Sequence, residues 1–436
     1  MSGKGSPVNA TEPNHPLKTA AAPFHALTKP AGSICNLACS YCFYLEKVHL
    51  YRGGGNFRMS REVLEAYVRD YIAAQPGSEV HFAWQGGEPT LLGLEFFREV
   101  VALQERHSGG RIVRNAFQTN GILLDAQWAD FFARHEFLVG LSIDGPRELH
   151  DAYRVDRGGQ PTFDRVMAGL EALKARKVEF NTLTTVNRKN ARHPGEVYRF
   201  LKKTGSGYIQ FIPIVERDAP AAGTVPGLWL APPPDHPSMA DADSAATPWS
   251  VRPADYGEFL CRIFDDWVGE DVGNVFVQQF DAALANWVGE PPGICVFSKN
   301  CGRAVAVEHN GDVYSCDHYV YPEYRLGNLL NASLASMVDS PVQRRFGEAK
   351  SATLPRYCRE CPVEFACHGE CPKHRFLRTP DGEPGLNYLC AAYRRFFTHI
   401  DSPMRTMAAL LQAGRAPAEI MQIPRREWIR PAPSRC

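Results

Sequence analysis

The sequence has no excess of charge of either sign, because 48 lysines and arginines balance 48 aspartates and glutamates. Long-range attraction to nucleic acid or to anionic lipid is therefore weak, and we expect neither as a partner. The sequence also has no uninterrupted apolar run of about eighteen residues, the length that a membrane-spanning helix needs. Together these absences indicate a globular protein, and we expect it in the cytoplasm.

The amino-terminal region lacks the apolar stretch of a secretory signal. Residues 1–23 are polar and contain several prolines, so we expect a disordered leader there. A chain of 436 residues can bury a core large enough to fold without disulfides. In a reducing compartment its 13 cysteines are therefore better explained by metal binding or catalysis.

Short apolar runs alternate with segments of helical periodicity along the first half of the chain. The runs that predict buried strands are residues 26–30, 80–84, 112–118, 137–142, 178–186 and 208–214. Such alternation predicts parallel strands joined by crossover helices, in either a barrel or a doubly wound sheet. Both architectures place ligands at the carboxyl ends of the strands.

The composition of the chain changes along its length. We expect a barrel domain over residues 24–253, in which the proline-rich residues 217–253 form a lid or loop insertion. Residues 254–294 predict a helical linker, and residues 398–436 predict a last helix and a basic tail. Residues 295–397 hold eight cysteines but few long apolar runs, which predicts a small domain organised around metal.

Three cysteines, Cys35, Cys39 and Cys42, lie in one loop after the first predicted strand. A structural zinc site needs four protein ligands, and His49 is the nearby candidate for a fourth. A 4Fe-4S cluster held by three thiolates would instead leave one iron open to an exogenous ligand, where chemistry can start. Both interpretations are open from the residues alone, and the iron-sulfur interpretation is favoured.

The spacing Cys-x3-Cys-x2-Cys, with Tyr41 before the last cysteine, resembles the signature of the radical S-adenosylmethionine (SAM) superfamily. The stretch QGGEP at residues 85–89 resembles the superfamily's Gly-Gly-Glu-Pro segment, whose backbone hydrogen-bonds the amino group of SAM. The cysteines of residues 295–390 resemble the SPASM extension of radical SAM enzymes that modify peptides. In isolation, such a group of cysteines more often indicates zinc.

By resemblance to SPASM domains, the eight cysteines bind two auxiliary 4Fe-4S clusters, a partition that their spacing alone does not determine. The first cluster would be held by Cys295, Cys301, Cys316 and Cys371, and the second by Cys358, Cys361, Cys367 and Cys390. Fully ligated clusters have no free iron, so we expect them to carry electrons. Cys261, in a predicted helix, and Cys436, in the tail, are then left without a cluster.

Longer strings, such as KPAGSICNLACSYCFYLEK, AWQGGEPTLLGLEFF and VGLSIDGP, resemble the anaerobic sulfatase-maturating enzymes from about Lys29 to about Phe397. The resemblance implies an α/β fold, with a partial (β/α)6 TIM-like radical SAM barrel followed by the Cys-rich SPASM domain. It also implies oxidation of a Cys or Ser side chain in a nascent sulfatase to Cα-formylglycine, with SAM and three 4Fe-4S clusters as cofactors. The insertion and both tails lie outside the family's common pattern.

The resemblance assigns further residues. SAM would be contacted by Tyr41, Gly87, Ser142, Arg154 and Val215. Tyr41 would lie at the adenine side, and the planar guanidinium of Arg154 suits the methionyl carboxylate. Val215 could offer only backbone or packing contact.

A base is also needed, because a proton must leave the side chain after a hydrogen atom has been removed from the target carbon. Asp317, next to the expected cluster ligand Cys316, is the candidate by resemblance. His318 is its rival, because the solution pKa of histidine is better suited to pH 7.

Two other functions are compatible with the cysteines. A radical SAM maturase that makes crosslinks or thioethers in a ribosomally made peptide would share every one of them. A zinc-dependent binding module would differ in being colourless and in holding zinc. For the favoured function we expect a nascent sulfatase polypeptide as substrate and a flavodoxin or ferredoxin as electron donor.

Overall fold

The computed structural model describes residues 15–51, 57–218, 228–233 and 246–430. Much of the expected leader, residues 1–14, lies outside the described residues, and so does Cys436. Across the described ranges, no helix combines the length and the apolar character needed to cross a bilayer.

A ten-stranded sheet forms the centre of the molecule. Its strands are β1 (His25–Lys29), β2 (Glu79–Trp84), β3 (Ile112–Thr119), β4 (Leu138–Ser142), β5 (Phe180–Val186), β6 (Tyr208–Pro213), β7 (Phe276–Val277), β8 (Ala304–Glu308), β9 (Asp312–Tyr314) and β10 (Arg325–Asn328). Their order across the sheet is β10-β9-β8-β1-β2-β3-β4-β5-β6-β7. Strands β1 to β6 are parallel and neighbour one another in chain order, as the sequence predicts.

Helices connect and cover the strands. They are α1 (Arg61–Ala74), α2 (Gly93–His107), α3 (Ala126–Arg134), α4 (Arg147–His150), α5 (Phe163–Ala175), α6 (Pro194–Lys203), α7 (Pro253–Glu270), α8 (Gln278–Val288), α9 (Leu334–Val338), α10 (Pro341–Ala352), α11 (Arg356–Arg359), α12 (Glu364–Cys367) and α13 (Cys390–Gln412). Because crossover helices join the first six parallel strands, the expected α/β architecture is confirmed. A separate antiparallel pair, β11 (Leu377–Arg378) and β12 (Pro384–Leu386), lies in the Cys-rich region.

Helix α1 shows how local sequence determines an element. The hydroxyl of Ser60 accepts a hydrogen bond from the Val63 backbone N–H at 3.2 Å, which caps the helix. Apolar residues spaced three and four apart, including Leu64, Tyr67 and Val68, are then buried on one face. That face packs against the sheet, where the Tyr67 ring lies 5.5 Å from Phe82 on β2.

The Cys-rich region is joined to the barrel through backbone pairing. Strand β8 runs parallel to β1, with Ala306 opposite Leu27. Strands β9 and β10 then extend the sheet as antiparallel neighbours. The region that follows the barrel thus continues the same sheet. The domain boundaries that we inferred from composition stay a prediction.

The last helix is longer than the apolar pattern near its end indicates. It begins at Cys390 and ends at Gln412, and its residues Tyr393, Phe396 and Phe397 are buried. The Phe396 ring lies 6.2 Å from Phe264 of α7, in the same apolar core as the barrel. The Cys-rich region therefore has more apolar packing than its few long apolar runs indicate, because aromatic residues of α13 supply that packing.

Candidate active site at the carboxyl edge of the sheet

The carboxyl ends of β1 to β6 lie along one edge of the sheet. Every site residue predicted within the barrel follows one of these strands or ends it. The cysteine loop and Tyr41 follow β1, Gly87 follows β2, Ser142 ends β4, Arg154 comes after β4, and Val215 follows β6. The parallel topology therefore brings the predicted residues to one side of the molecule, as expected for this class of fold.

The carboxylate of Glu88 fixes the position of the cysteine loop. It is fully buried and accepts hydrogen bonds from the Thr119 hydroxyl and the Asn120 backbone N–H, each at 2.8 Å. The Asn120 side chain in turn donates to the side-chain oxygen of Asn36 at 2.7 Å and lies 3.7 Å from the Cys35 sulfur. A buried carboxylate on β2's loop thereby orients the residues around the first cysteine.

Gly87 packs directly on the same loop. A Cβ at this position would stand 1.9 Å from the carbonyl oxygen of Ile34, so any side chain would displace the backbone. The Gly87 N–H donates to the Gly32 carbonyl at 2.7 Å, and the Glu88 N–H donates to the Ile34 carbonyl at 2.8 Å. Glycine is therefore required for the close contact between the two segments.

The three thiols of the loop lie close enough to influence one another. Burial raises the pKa of Cys35 to about 12, with a contribution from Glu88 and a smaller one from Cys42. Burial likewise raises the pKa of Cys42 to about 11. It raises the pKa of Cys39 well above its usual range, and Cys35 and Cys42 raise the pKa of Cys39 further. Thiolates in this loop would need a compensating positive charge, such as a bound metal centre supplies.

Tyr41 and Arg154 converge on Asp144, a carboxylate that the sequence interpretation did not assign. The Tyr41 hydroxyl donates to Asp144 Oδ2 at 2.5 Å, and Arg154 Nε lies 3.0 Å from the same oxygen. Asp144 also accepts hydrogen bonds from the backbone and hydroxyl of Thr185. The guanidinium of Arg154 is thus already paired within the protein, and its role toward a SAM carboxylate stays a prediction.

Ser142 and Val215 lie at the same edge. The Ser142 hydroxyl accepts a hydrogen bond from the Gln118 side chain at 2.9 Å. Val215 is buried, and its carbonyl oxygen accepts a hydrogen bond from Lys373 at 3.3 Å. Lys373 also pairs with Glu216, so the Cys-rich region contacts the loop after β6.

The remaining cluster cysteines form two groups in the structure. Burial raises the pKa values of Cys316 and Cys371, and Cys295 raises both further. Cys295 also raises the pKa of Cys301. In the second group burial is again the largest cause of the raised pKa values. Cys390 and Cys358 raise the pKa of Cys367 further, and Cys358 and Cys361 do the same for Cys390. These influences stay within each of the two sets of four that the resemblance implies. Their ligand roles stay a prediction, and within the described residues no three His, Cys, Asp or Glu side chains converge as around a single metal ion.

Asp317 lies beside the barrel although it belongs to the Cys-rich region. It follows β9, and its carboxylate forms an ion pair with the ammonium group of Lys29 at the carboxyl end of β1. Burial alone would raise the pKa of Asp317, but the ammonium group of Lys29, with a smaller contribution from Lys373, holds it below its usual value. The carboxylate is therefore ionised and able to accept a proton.

His318, the rival base, lies between an aromatic ring and an expected cluster ligand. Its ring packs edge-on against Phe43 at 5.1 Å, and its Nδ1 lies 4.0 Å from the Cys371 sulfur. Burial, followed by the charge of Lys373, lowers the pKa of His318 to about 3. The imidazole is thus neutral at pH 7 and adjoins an expected cluster ligand.

Part of the proline-rich insertion lies against the segment that follows the cysteine loop. Glu46, in the 3-10 helix Leu45–Leu50, is fully buried. Its carboxylate accepts hydrogen bonds from the backbone N–H groups of Trp229 and Leu230 at 2.8 and 2.9 Å. The described residues 228–233 are therefore anchored next to the site.

Three charged residues near the site were missed by the sequence interpretation. Lys29, Asp144 and Glu216 are buried and lie at, or a few residues beyond, the carboxyl ends of β1, β4 and β6. Burial of a charge is costly unless it is paired. The sequence could have identified these three positions, because each is a charged residue at or just after the end of a predicted parallel strand.

Two family models match the chain. The Radical SAM superfamily matches residues 30–201, and the iron-sulfur cluster-binding domain SPASM matches residues 295–362. The first match contains strands β2 to β5 together with the cysteine loop, and the second covers part of the Cys-rich region.

Whole-length relatives agree with these matches. The serine-type anaerobic sulfatase-maturating enzyme of Bacteroides thetaiotaomicron is 47% identical over 403 residues, which are 92% of this chain and 95% of that protein. The cysteine-type anaerobic sulfatase-maturating enzyme of Clostridium perfringens is 34% identical over 388 residues, which are 86% of this chain and 96% of that protein.

A solved structure shows the same fold. Native anSMEcpe with bound AdoMet and Cp18Cys peptide is 34% identical, has a TM-score of 0.76, and is matched over 89% of this chain and 99% of that one. The fold, the cysteine loop after β1 and the Cys-rich region that places Asp317 beside β1 agree with these similarities. The chain belongs to the anaerobic sulfatase-maturating enzymes of the radical SAM superfamily.

Proposed function

We propose that the chain oxidises a Ser or Cys side chain of a sulfatase polypeptide to Cα-formylglycine, with Asp317 as the base. The serine-type relative is 47% identical and the cysteine-type relative 34%, which favours serine as the target residue. The single observation that carries the role of Asp317 is its ion pair with Lys29, because it places an ionised carboxylate at the carboxyl end of β1.

SAM and the first cluster would be held by residues of the barrel edge. Cys35, Cys39 and Cys42 supply the soft thiolates that a 4Fe-4S cluster requires, and their burial and mutual repulsion fit a cationic occupant. Gly87, Ser142, Val215, Tyr41 and Arg154 would contact SAM. When bound, SAM and the reduced cluster supply the radical that removes hydrogen from the target carbon.

The two groups of four cysteines would hold two further 4Fe-4S clusters, which gives three in all. The influence of the thiols within each group on one another's pKa supports two separate clusters. The electron donor would be a flavodoxin or a ferredoxin.

The chain's own contribution to the oxidation is to take the proton of the target side chain. The substrate carbon radical would lose that proton to the base and one electron to an auxiliary cluster, which gives the aldehyde directly from Ser. From Cys the product would be a thioaldehyde, and its hydrolysis by water, with release of hydrogen sulfide, would give formylglycine. Asp317 is suited to accept the proton because Lys29 keeps the carboxylate ionised.

The test is anaerobic incubation of the reconstituted protein with SAM, a reductant and a sulfatase peptide carrying Ser or Cys at the target position. Mass spectrometry should detect the formylglycine product and one deoxyadenosine for each product. A peptide with Ala at the target position is the matched control. Deoxyadenosine formed without any modified peptide, from either the Ser or the Cys peptide, would contradict the proposal.

A further inference from the structure

Lys29 occupies the junction between the cysteine loop and the Cys-rich region. It is the last residue of β1, and its side chain is 3% exposed. Its ammonium group pairs with the Asp317 carboxylate and lies 4.0 Å from the centre of the Tyr44 ring. One side chain therefore contacts groups from both halves of the site.

A buried ammonium group is stable only when it is paired. The partner available to Lys29 is Asp317. Strand β9 runs antiparallel to β8, which pairs with β1, so β9 ends across from the middle of β1, and the segment after it brings the Asp317 carboxylate to the Lys29 ammonium group. The ring of Tyr44 adds a cation–π contact that fixes the direction of the ammonium group. Lys29 thus restricts where the carboxylate can lie.

We propose that Lys29 is a positioning residue for the reaction: it holds the Asp317 carboxylate at the carboxyl end of β1, where the substrate carbon radical forms. Without it, SAM would still be cleaved, but the proton of the target side chain would leave more slowly. Radicals formed from SAM would then be lost without product. This inference rests on the proposed role of Asp317.

The experiment compares Lys29→Met, Lys29→Arg and the parent as reconstituted holoenzymes. The measured quantity is the amount of formylglycine per deoxyadenosine, together with iron content and the kcat and KM for a sulfatase peptide. We expect Lys29→Met to keep iron content and SAM cleavage near the parent values while product per deoxyadenosine falls about 10- to 100-fold, a fraction of what a general base contributes. Lys29→Arg, which keeps the charge, should restore at least half of the parent ratio.

Lys202→Met is the matched control. Lys202 lies in the last turn of α6, before the amino end of β6, and its ammonium group pairs with Asp271 at 2.7 Å. Loss of that ion pair should leave product per deoxyadenosine unchanged.

Two outcomes would overturn the inference. One is a parent-like ratio in Lys29→Met. The other is an equal loss of iron, SAM cleavage and product in Lys29→Met and Lys29→Arg, which would indicate a purely structural role. If the parent itself forms no formylglycine, the proposed function fails, and that result is distinct from either of these.

Discussion

Replacing Asp317 with Asn removes the carboxylate while keeping the size and shape of the side chain. SAM should still bind and be cleaved, because its expected contacts lie on other strands. Formylglycine formation should fall about 100- to 10,000-fold, the range that general acid–base catalysis contributes. Deoxyadenosine should therefore accumulate without matching product.

The same substitution should also destabilise the fold, because it leaves Lys29 buried without its partner. Removing one member of a buried ion pair costs about 3–5 kcal/mol. The Asp317 side chain is 19% exposed and that of Lys29 is 3% exposed, so we expect a cost near 3 kcal/mol. The double variant Lys29→Met with Asp317→Asn removes both charges, and its cost should be smaller than the sum of the two single costs by roughly 2 kcal/mol.

Stability and activity can thus be separated in one set of variants. Urea unfolding of the single and double variants measures the coupling free energy, and product per deoxyadenosine measures the reaction. The double variant should recover stability without recovering product. A near-parent rate in Asp317→Asn combined with a loss in His318→Gln would show that His318 is the base, and near-parent rates in both variants would exclude either residue.

Three further expectations follow from other parts of the structure. Changing Cys35, Cys39 and Cys42 together to Ala should remove about a third of the bound iron and all SAM cleavage, and unchanged iron would contradict the assignment of the loop. Glu88→Gln leaves buried donors without a full acceptor and should cost about 1–3 kcal/mol and weaken SAM cleavage, measured by urea unfolding and deoxyadenosine yield. Burial lowers the pKa of His150 to about 4, so protonation favours the unfolded chain, and stability should fall by roughly 3 kcal/mol from pH 6.5 to pH 4. His150→Asn should show a flatter pH dependence, and an equal slope would mean that other groups cause it.

Periodicity predicted the barrel well, because buried parallel strands and their crossover helices leave a strong local pattern. The strands predicted from residues 80–84 and 112–118 differ from the observed β2 and β3 by one residue at an end. The long α13 and the pairing of β8 with β1 were not predicted. Both depend on contacts between residues distant in sequence, which no local window contains.

The same distinction applies to the site. The spacing of Cys35, Cys39 and Cys42 predicted a single loop of three thiols, because these residues are near in sequence. The division of the other eight cysteines into two sets came from the resemblance, and their ligand roles stay a prediction. The pairing of Lys29 with Asp317 could not be read from spacing, because it joins two regions distant in sequence. Asp144 and Arg154 both follow β4, and their pairing depends on how the chain folds around the short helix α4 between them. Burial of a charge becomes visible only when the fold supplies its partner.

The parallel pairing of β1 with β8 also affects how the protein is made. Strand β1 leaves the ribosome early, but one of its two neighbours, Ala304–Glu308, is synthesised only after most of the chain. Pairings between such distant segments form late and slow folding. Until then β1 has an open edge beside the cysteine loop, and open edges invite pairing with other chains. Assembly of the barrel and of its metal centre is therefore expected to be completed only after translation of the Cys-rich region, with chaperone protection in the interval.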